Sequence, residues 1–157
     1  MINKKYLLLL LLTIFSCDIQ KKPIQLWNEA LENRTNNNFP ESIIILNKII
    51  DQHPNDSLAV MAYFQIADIY LNDVEDYEHA IELFNTIVSK YPKDKLAKKS
   101  QFMIGYVYNN YLNAYSDAIL NYQIFLNNYP DDDLVPSVKY ELLELMKIDE
   151  TINSLSK

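Results

Sequence analysis

The chain has 157 residues, 49% of them hydrophobic, which is sufficient for one folded domain with a buried core. A single glycine excludes the glycine-rich loops that hold phosphate groups, and it argues against the many tight turns of an all-β protein. The formal net charge of −7 argues against nucleic acid as a partner, because the phosphates would be repelled.

The first segment, residues 1–16, is a predicted secretory signal peptide. Two lysines precede an apolar stretch over residues 6–15, which is shorter than the about 20 apolar residues that a membrane-spanning helix needs. The sequence IFSC, which ends at Cys17, resembles the bacterial lipobox. This resemblance implies cleavage before Cys17 and lipidation of its sulfur. The alternatives are an ordinary cleaved signal peptide with an incidental cysteine and an uncleaved membrane anchor.

Lipid on Cys17 would hold residues 17–23, a short tether, at a membrane surface, because several acyl chains anchor a soluble domain stably. Cys17 is the only cysteine of the chain, so an internal disulfide is excluded. We expect the protein at the periplasmic face of the cell envelope. The outer membrane is favoured, with the inner membrane as the alternative.

The rest of the chain is predicted to be helical, because apolar residues recur at helical spacing and no long stretch alternates with period two. Seven helices are expected over approximately residues 24–35, 40–52, 57–72, 75–90, 94–111, 115–128 and 132–150. Asp56 and Asp94 are predicted N-caps, and Asp132 or Asp133 is predicted to open the seventh helix. The buried face of the first helix is predicted to contain Ile24, Trp27, Ala30 and Leu31. Residues 151–157 are expected to be a frayed tail.

A repeat with a step of 38 residues organises this helical region. Its landmarks are three dipeptides in which an aromatic ring precedes proline: His53-Pro54, Tyr91-Pro92 and Tyr129-Pro130. Other positions keep the same step, including Leu46, Phe84 and Tyr122, and also Phe64, Phe102 and Tyr140. Self-similarity at such a step is typical of stacked helical hairpins rather than of a single globule.

Within each step the residues resemble the tetratricopeptide repeat, a hairpin of two helices called A and B. The pattern of helix A is met by Tyr63, Ile66, Ala67 and Tyr70, and the pattern of helix B by Ala80, Phe84, Ile87 and Pro92. The next unit offers Ile104, Gly105 and Tyr108, followed by Ala118, Tyr122, Phe125 and Pro130. The resemblance implies an all-α solenoid, a tetratricopeptide-like α-α superhelix, over residues 24–150. It would contain about three repeats and a closing helix, with Glu141, Glu144 and Lys147 on a polar outer face.

The 38-residue spacing and the Tyr-Pro endings also resemble bacterial envelope proteins of this class. These are the outer-membrane assembly lipoprotein BamD (YfiO), whose array is longer, and the tetratricopeptide domain of CpoB (YbgF). The resemblance implies a non-enzymatic scaffold that binds a protein or peptide partner in the envelope, as a component or accessory of outer-membrane protein assembly. The alternatives are an adaptor in Tol-Pal or cell-wall processes and a self-associating module.

The candidate partner groove is the inner surface lined by the A helices, where tetratricopeptide arrays hold peptides. In family register it contains Met61, Phe64, Asp68, Asn72, Phe102, Tyr106, Asn109, Asn110 and Tyr140. Aromatic rings would supply contact area, and amides would pair with a peptide backbone. The alternative for Phe64 and Phe102 is a place in the core, because both recur in register.

No catalytic residue, metal site, cofactor or small-molecule substrate is predicted. His53 and His79 have no metal-ligand partner at a useful spacing, and the three aspartates at residues 131–133 lack the pattern of a calcium loop. An enzyme or carbohydrate-binding subunit would need paired carboxylates on adjacent A helices. The groove offers only Asp68.

Overall fold

A computed structural model describes residues 21–155 of the chain. Over this range it contains seven α-helices: α1 (Pro23–Thr35), α2 (Phe39–Gln52), α3 (Ser57–Ile69), α4 (Tyr77–Lys90), α5 (Lys95–Asn110), α6 (Tyr115–Asn128) and α7 (Val135–Leu155). A π-helical turn, Tyr70–Val74, continues α3, and residues 21–155 contain no strand. The predicted all-α class and order of helices are confirmed. The predicted signal peptide and Cys17 lie outside the described residues.

The helices form successive hairpins, with α1, α3 and α5 as helices A and α2, α4 and α6 as helices B. Each helix packs mainly on its neighbours in sequence, while α1 also touches α3 and α3 touches α5. The A helices therefore lie side by side along one face of the superhelix. The α7 helix, a fourth helix A, packs on α6.

The turns that lead from helix B to the next helix A are closed by aspartates two residues after each proline. The Asp56 and Asp94 carboxylates accept hydrogen bonds from the backbone N–H groups two residues later, each at 2.8 Å. Asp132 accepts from the N–H of Leu134 at 3.0 Å. The two predicted N-caps are confirmed, and of the two candidates before α7 it is Asp132 that makes this bond.

The turns that lead from helix A to helix B share a backbone feature that the sequence analysis did not predict. Asn37, Glu75 and Asn113 have positive φ angles of 59°, 60° and 51°, and they follow one another at the 38-residue step. Asparagine enters this left-handed region more readily than other side chains, because its short amide bonds locally. Glu75 has no such advantage.

The core consists of three clusters of buried residues arranged along the array. In α1 the prediction is wrong for Ile24, which is 52% exposed, whereas Leu26 and Ala30 are buried. The face of α1 is rotated because α2 and α3 both approach it on the side of Leu26, so Ile24 points away from both.

The α7 helix differs from the expectation in two respects. It continues through residues 151–155 of the tail that was expected to fray, and the Thr151 hydroxyl donates to the carbonyl of Lys147 at 2.8 Å within this part. Its outer face is also mixed, since Tyr140, Leu143, Met146 and Ile148 are all exposed. Of the residues predicted for a polar outer face, Glu144 and Lys147 form an ion pair at the surface, whereas Glu141 is half-buried and accepts a hydrogen bond from Asn109.

Candidate peptide-binding face

The A helices are joined side by side by polar and aromatic contacts on one face. The Arg34 guanidinium of α1 reaches the Asp68 carboxylate of α3 at 2.7 Å. The Lys99 ammonium of α5 lies 4.8 Å from the centre of the Phe64 ring of α3. Two of the predicted groove residues, Asp68 and Phe64, thus contact the neighbouring helices A.

On α3 the structure separates exposed candidates from occupied ones. Met61 is exposed, whereas Phe64 is half-buried and packs edge-on against Phe84 with ring centres 5.4 Å apart. The Asp68 carboxylate, besides its ion pair with Arg34, accepts a hydrogen bond from the Asn72 amide at 2.9 Å. Because the Arg34 guanidinium also contacts the Asp73 carboxylate at 2.7 Å, the negative charge of Asp68 is only partly balanced within the chain.

On α5 the Phe102 side chain belongs to both the core and the surface. Its ring centre lies 6.0 Å from that of Tyr122 and 6.5 Å from that of Phe125 in the third cluster, yet Phe102 also lines an open cleft. Tyr106 is half-buried beside Tyr111, with ring centres 6.0 Å apart, and the Asn110 amide donates to the Tyr106 carbonyl. These three candidates form one continuous strip.

The last candidates connect α5 to α7. The Asn109 amide donates to the Glu141 carboxylate at 3.2 Å, so it links the two helices instead of standing free. Tyr140 is 67% exposed on α7. The predicted groove thus contains accessible aromatic residues beside polar groups that already hold neighbouring helices together.

A cleft of about 360 Å³ opens at the amino-terminal end of α5. Its walls, which we call the lysine cleft, are formed by Lys95, Lys98, Lys99, Phe102, Met103, Asp132 and Leu134. Three ammonium groups surround an apolar floor made of Phe102, Met103 and Leu134. These lysines were not among the predicted site residues. A signal for them was present in the sequence, since five of the lysines of this acidic chain lie between residues 90 and 99.

The charges of the lysine cleft are unevenly balanced. The Lys98 ammonium lies 2.6 Å from the Asp132 carboxylate, and this hydrogen bond raises the pKa of Lys98 and lowers the pKa of Asp132. Both groups are therefore charged at neutral pH. Within residues 21–155, no ion pair joins Lys95 or Lys99 to a carboxylate, so these two lysines give the cleft its net positive charge.

The histidines lie away from the lysine cleft. The His79 ring is stacked on Tyr70 at 5.2 Å, and its Nδ1 atom is 2.7 Å from the Asp76 carboxylate. This hydrogen bond raises the pKa of His79 and lowers that of Asp76. Among the described residues, no three histidine, cysteine or acidic side chains come together as metal ligands. In the same part of the chain, no helix combines the length and apolar character required to span a membrane.

Sequence and structure comparisons agree with the helical-repeat fold. Residues 61–94 and 99–132 match the tetratricopeptide repeat family. A solved structure of MamA from Desulfovibrio magneticus RS-1, residues 41 to the end, aligns with a TM-score of 0.52 at 14% identity over 83% of this chain and 77% of that one. A double mutant of MamA RS-1 aligns with the same score and identity, over 85% and 78%. No curated protein matches the chain.

Two segments of the chain therefore match the tetratricopeptide repeat, and they lie within a tetratricopeptide-like superhelix. The flanking parts, α1 with α2 and α7, lie outside the matched segments, as is common for the terminal units of repeat arrays. This fold typically serves as a non-enzymatic scaffold for protein–protein interaction, and nothing in the described residues points to catalysis.

Proposed function

We propose that the chain is a lipid-anchored adaptor of the bacterial envelope that captures an acidic segment of a partner protein on its A-helix face. The observation that carries this proposal is the lysine cleft, which joins uncompensated positive charge to an apolar floor. The remaining candidates on α3 and α5 continue the same face, so an extended segment held at the cleft would run past Tyr106 and Asn110.

An acidic segment fits the lysine cleft for two physical reasons. Carboxylates of the segment would approach Lys95 and Lys99, neither of which is ion-paired within residues 21–155, although the Lys99 ammonium also lies over the Phe64 ring. Apolar side chains between those carboxylates would cover Phe102 and Met103 and remove their surface from water. The net charge of −7 repels acidic proteins elsewhere on the surface and thereby favours this one orientation.

The envelope location rests on the amino-terminal sequence. A basic and apolar stretch followed by the lipobox-like ending at Cys17 supports export and lipidation, and the 38-residue spacing supports a role as a component or accessory of outer-membrane protein assembly. A Tol-Pal or cell-wall adaptor is the second candidate, favoured by the same spacing and by the small number of repeats.

Partner capture tests the binding face. The full-length protein carrying Lys95→Glu/Lys99→Glu should recover about tenfold less partner after crosslinking in native envelopes, because repulsion replaces attraction at the cleft. The control Lys22→Glu/Lys48→Glu makes the same charge change at the residue before α1 and on α2, away from the cleft, and should capture normally. Equal capture by both variants would remove the lysine cleft from the proposal.

A second variant tests the part of the A-helix face that continues beyond the lysine cleft. Replacing Tyr106 and Asn110 by alanine should weaken capture with little loss of helicity, because Asn110 is exposed and Tyr106 is half-buried. Circular dichroism during thermal unfolding provides the check. A collapse of the helical signal would place these residues in the core instead.

Membrane attachment is tested at Cys17. The Cys17→Ala variant should leave the membrane fraction and lose fatty-acid labelling, whereas the wild-type chain should carry the label. Density separation of the two envelope membranes then determines which one holds the protein. Unchanged labelling in the variant contradicts the lipid anchor.

A further inference from the structure

One face of α7 is apolar and uncovered. Val138 and Leu145 are fully buried against α6 and anchor the helix to the array. On another side of α7, Leu143 is 57% exposed and Met146 is 47% exposed. Lys139 and Glu150 lie one turn further out at the two ends of the same stripe, since residues 139, 143, 146 and 150 share a face at helical spacing. We call these four residues the α7 stripe.

The 38-residue step shows what this stripe corresponds to in the other A helices. On α5 and just after it, the counterparts are Gln101, Gly105, Tyr108 and Leu112. On α3 and the π-helical turn that continues it, they are Tyr63, Ala67, Tyr70 and Val74. In both repeats this face is where helix A receives the helix B that follows it.

In the α5–α6 repeat the contact is direct. The Gln101 amide donates to the side-chain oxygen of Asn121 on α6 at 3.1 Å. The Gly105 backbone lies against the Tyr122 ring, also on α6. Tyr108 packs on the cluster that contains Tyr122.

In the α3–α4 repeat the same positions are used. The Lys90 ammonium at the end of α4 donates to the Tyr63 hydroxyl at 3.0 Å. The Tyr70 ring is stacked on His79 of α4 at 5.2 Å. The α7 stripe therefore corresponds in register to the surface that receives helix B in the two repeats, and no described helix occupies it.

We propose that this site is filled by α7 of a second copy of the chain, so that each α7 acts as the helix B of the other. Helices A and B of one repeat run antiparallel, because a short turn joins them. The same arrangement between two α7 helices has a two-fold axis that passes between Glu144 and Leu145. It places Leu143 opposite Met146 of the second copy and Lys139 opposite its Glu150.

This pairing is self-complementary, as a two-fold interface must be. Apolar side chains meet at the centre, and opposite charges meet at both ends about 16 Å apart along the helix. A parallel pair would instead bring Lys139 against Lys139 and Glu150 against Glu150. Charge thus selects the antiparallel pair.

Cysteine crosslinking of the full-length chain tests the geometry. Co-expression of Lys139→Cys and Glu150→Cys variants should yield mixed disulfide dimers, while Lys139→Cys alone should yield few, since its two copies lie about 16 Å apart along the helix. Leu120→Cys is the control, because Leu120 is 53% exposed on α6, outside the stripe. Dimers of Lys139→Cys alone, or products joined to a different protein at these positions, would overturn the proposal.

Charge reversal tests the strength of the α7 pairing without engineered cysteines. Lys139→Glu should lower the dimer fraction of the detergent-solubilised protein about tenfold in light scattering, and Lys139→Glu/Glu150→Lys should restore it. Both side chains are exposed, so helicity should not change. A monomeric wild-type chain, or failure of the double variant to restore the dimer, contradicts the pairing. Partner capture at the lysine cleft is measured separately. Cleft variants that lose capture but still dimerise would show that the binding face and the α7 pairing act independently.

Discussion

Gly105 of α5 and Tyr122 of α6 are matched in size, since a Cβ atom at residue 105 would lie 2.7 Å from both Cδ1 and Cε1 of the tyrosine ring. In the preceding repeat the same two positions hold Ala67 and Phe84, which share one core cluster. The only glycine of the chain thus serves the close approach of two helices rather than a turn.

The Gly105→Ala variant should be less stable than the wild type by about 1 kcal/mol in urea unfolding. Alanine gains about 1 kcal/mol of helix propensity, but forcing a methyl group against a buried ring costs about 1–3 kcal/mol. The test is specific to the ring: in a Tyr122→Leu background the same change should be neutral or stabilising. A stabilised single variant would contradict the close contact.

Two buried hydroxyl groups should be dispensable. Among the described residues, the Ser100 and Tyr122 hydroxyls are buried without a hydrogen bond of acceptable geometry, although the Asn109 amide lies near Tyr122. One repeat earlier the equivalent residues are Ala62 and Phe84, which have no hydroxyl.

Removing these hydroxyls, as Ser100→Ala and Tyr122→Phe, should leave stability unchanged or raise it by about 1 kcal/mol each, because an unpaired buried polar group is costly. Burial also raises the pKa of Tyr122, so its phenol stays protonated and no alkaline transition should arise from it below pH 10. The control is Tyr63→Phe, which removes a hydroxyl bonded to Lys90 and should not stabilise. If Tyr122→Phe lowers the free energy of unfolding by more than about 1 kcal/mol, the hydroxyl has a hydrogen-bond partner in the folded protein.

Replacement of Glu75 should make the folded protein more stable. It holds a φ of 60° at the position where the other two turns have asparagine. Glu75→Asn and Glu75→Gly should raise stability by about 0.5–1 kcal/mol, since the left-handed conformation costs about 1–2 kcal/mol for an ordinary residue. Glu78→Asn, an exposed change in the first turn of α4, is the comparison and should be neutral or slightly destabilising. Equal effects at both sites would count against backbone strain.

The pair of Asp76 and His79 should give a measurable pH response. Because the hydrogen bond to Asp76 raises the pKa of His79, the stabilisation is fully present below the ordinary value of 6.5 and is lost as pH rises through the folded-state pKa. The lowered pKa of Asp76 sets the other limit: its contribution is present above 3.8 and is lost as pH falls through its own folded-state value.

NMR titration of the His79 ring protons should therefore give a pKa above 6.5 in the wild type. Asp76→Asn should bring it back toward 6.5 while retaining the hydrogen bond to the His79 backbone N–H. An unchanged His79 pKa in this variant would show that another group is responsible. The net effect on unfolding should be small, because both side chains are at the surface.

The order of the helices could be predicted because each one begins and ends with local signals. Prolines, capping aspartates such as Asp56 and the 3.6-residue periodicity act within a few neighbours, and the sequence contains all of them. Which side of a helix is covered depends instead on helices distant in sequence. Ile24 and Leu26 are both apolar on α1, and only the approach of α2 and α3 buries the second.

The candidate site also combines features that the sequence predicts with features that depend on helix packing. The 38-residue step placed Phe64 and Phe102 on one face, and in the structure Phe64 lies beside Lys99 while Phe102 lines the lysine cleft. The step carries no information about residues that do not repeat. Arg34, the chain's one arginine, pairs with both Asp68 and Asp73, and the lysines of α5 have no counterparts in α3. Such contacts follow only from the packing of the helices.

The regular turns have a consequence for how such arrays change length. The equal spacing of Asn37, Glu75 and Asn113 would allow whole units to be deleted or duplicated without disturbing the register. Joining α3 directly to α6 at these turns, however, would set Ala67 against Tyr122, whose ring lies 2.7 Å from a Cβ atom at the position of Gly105. Joining α2 to α5 at the prolines keeps each helix A with its own helix B. The inheritable module is therefore the hairpin between two prolines, and side-chain fit determines where recombination is tolerated.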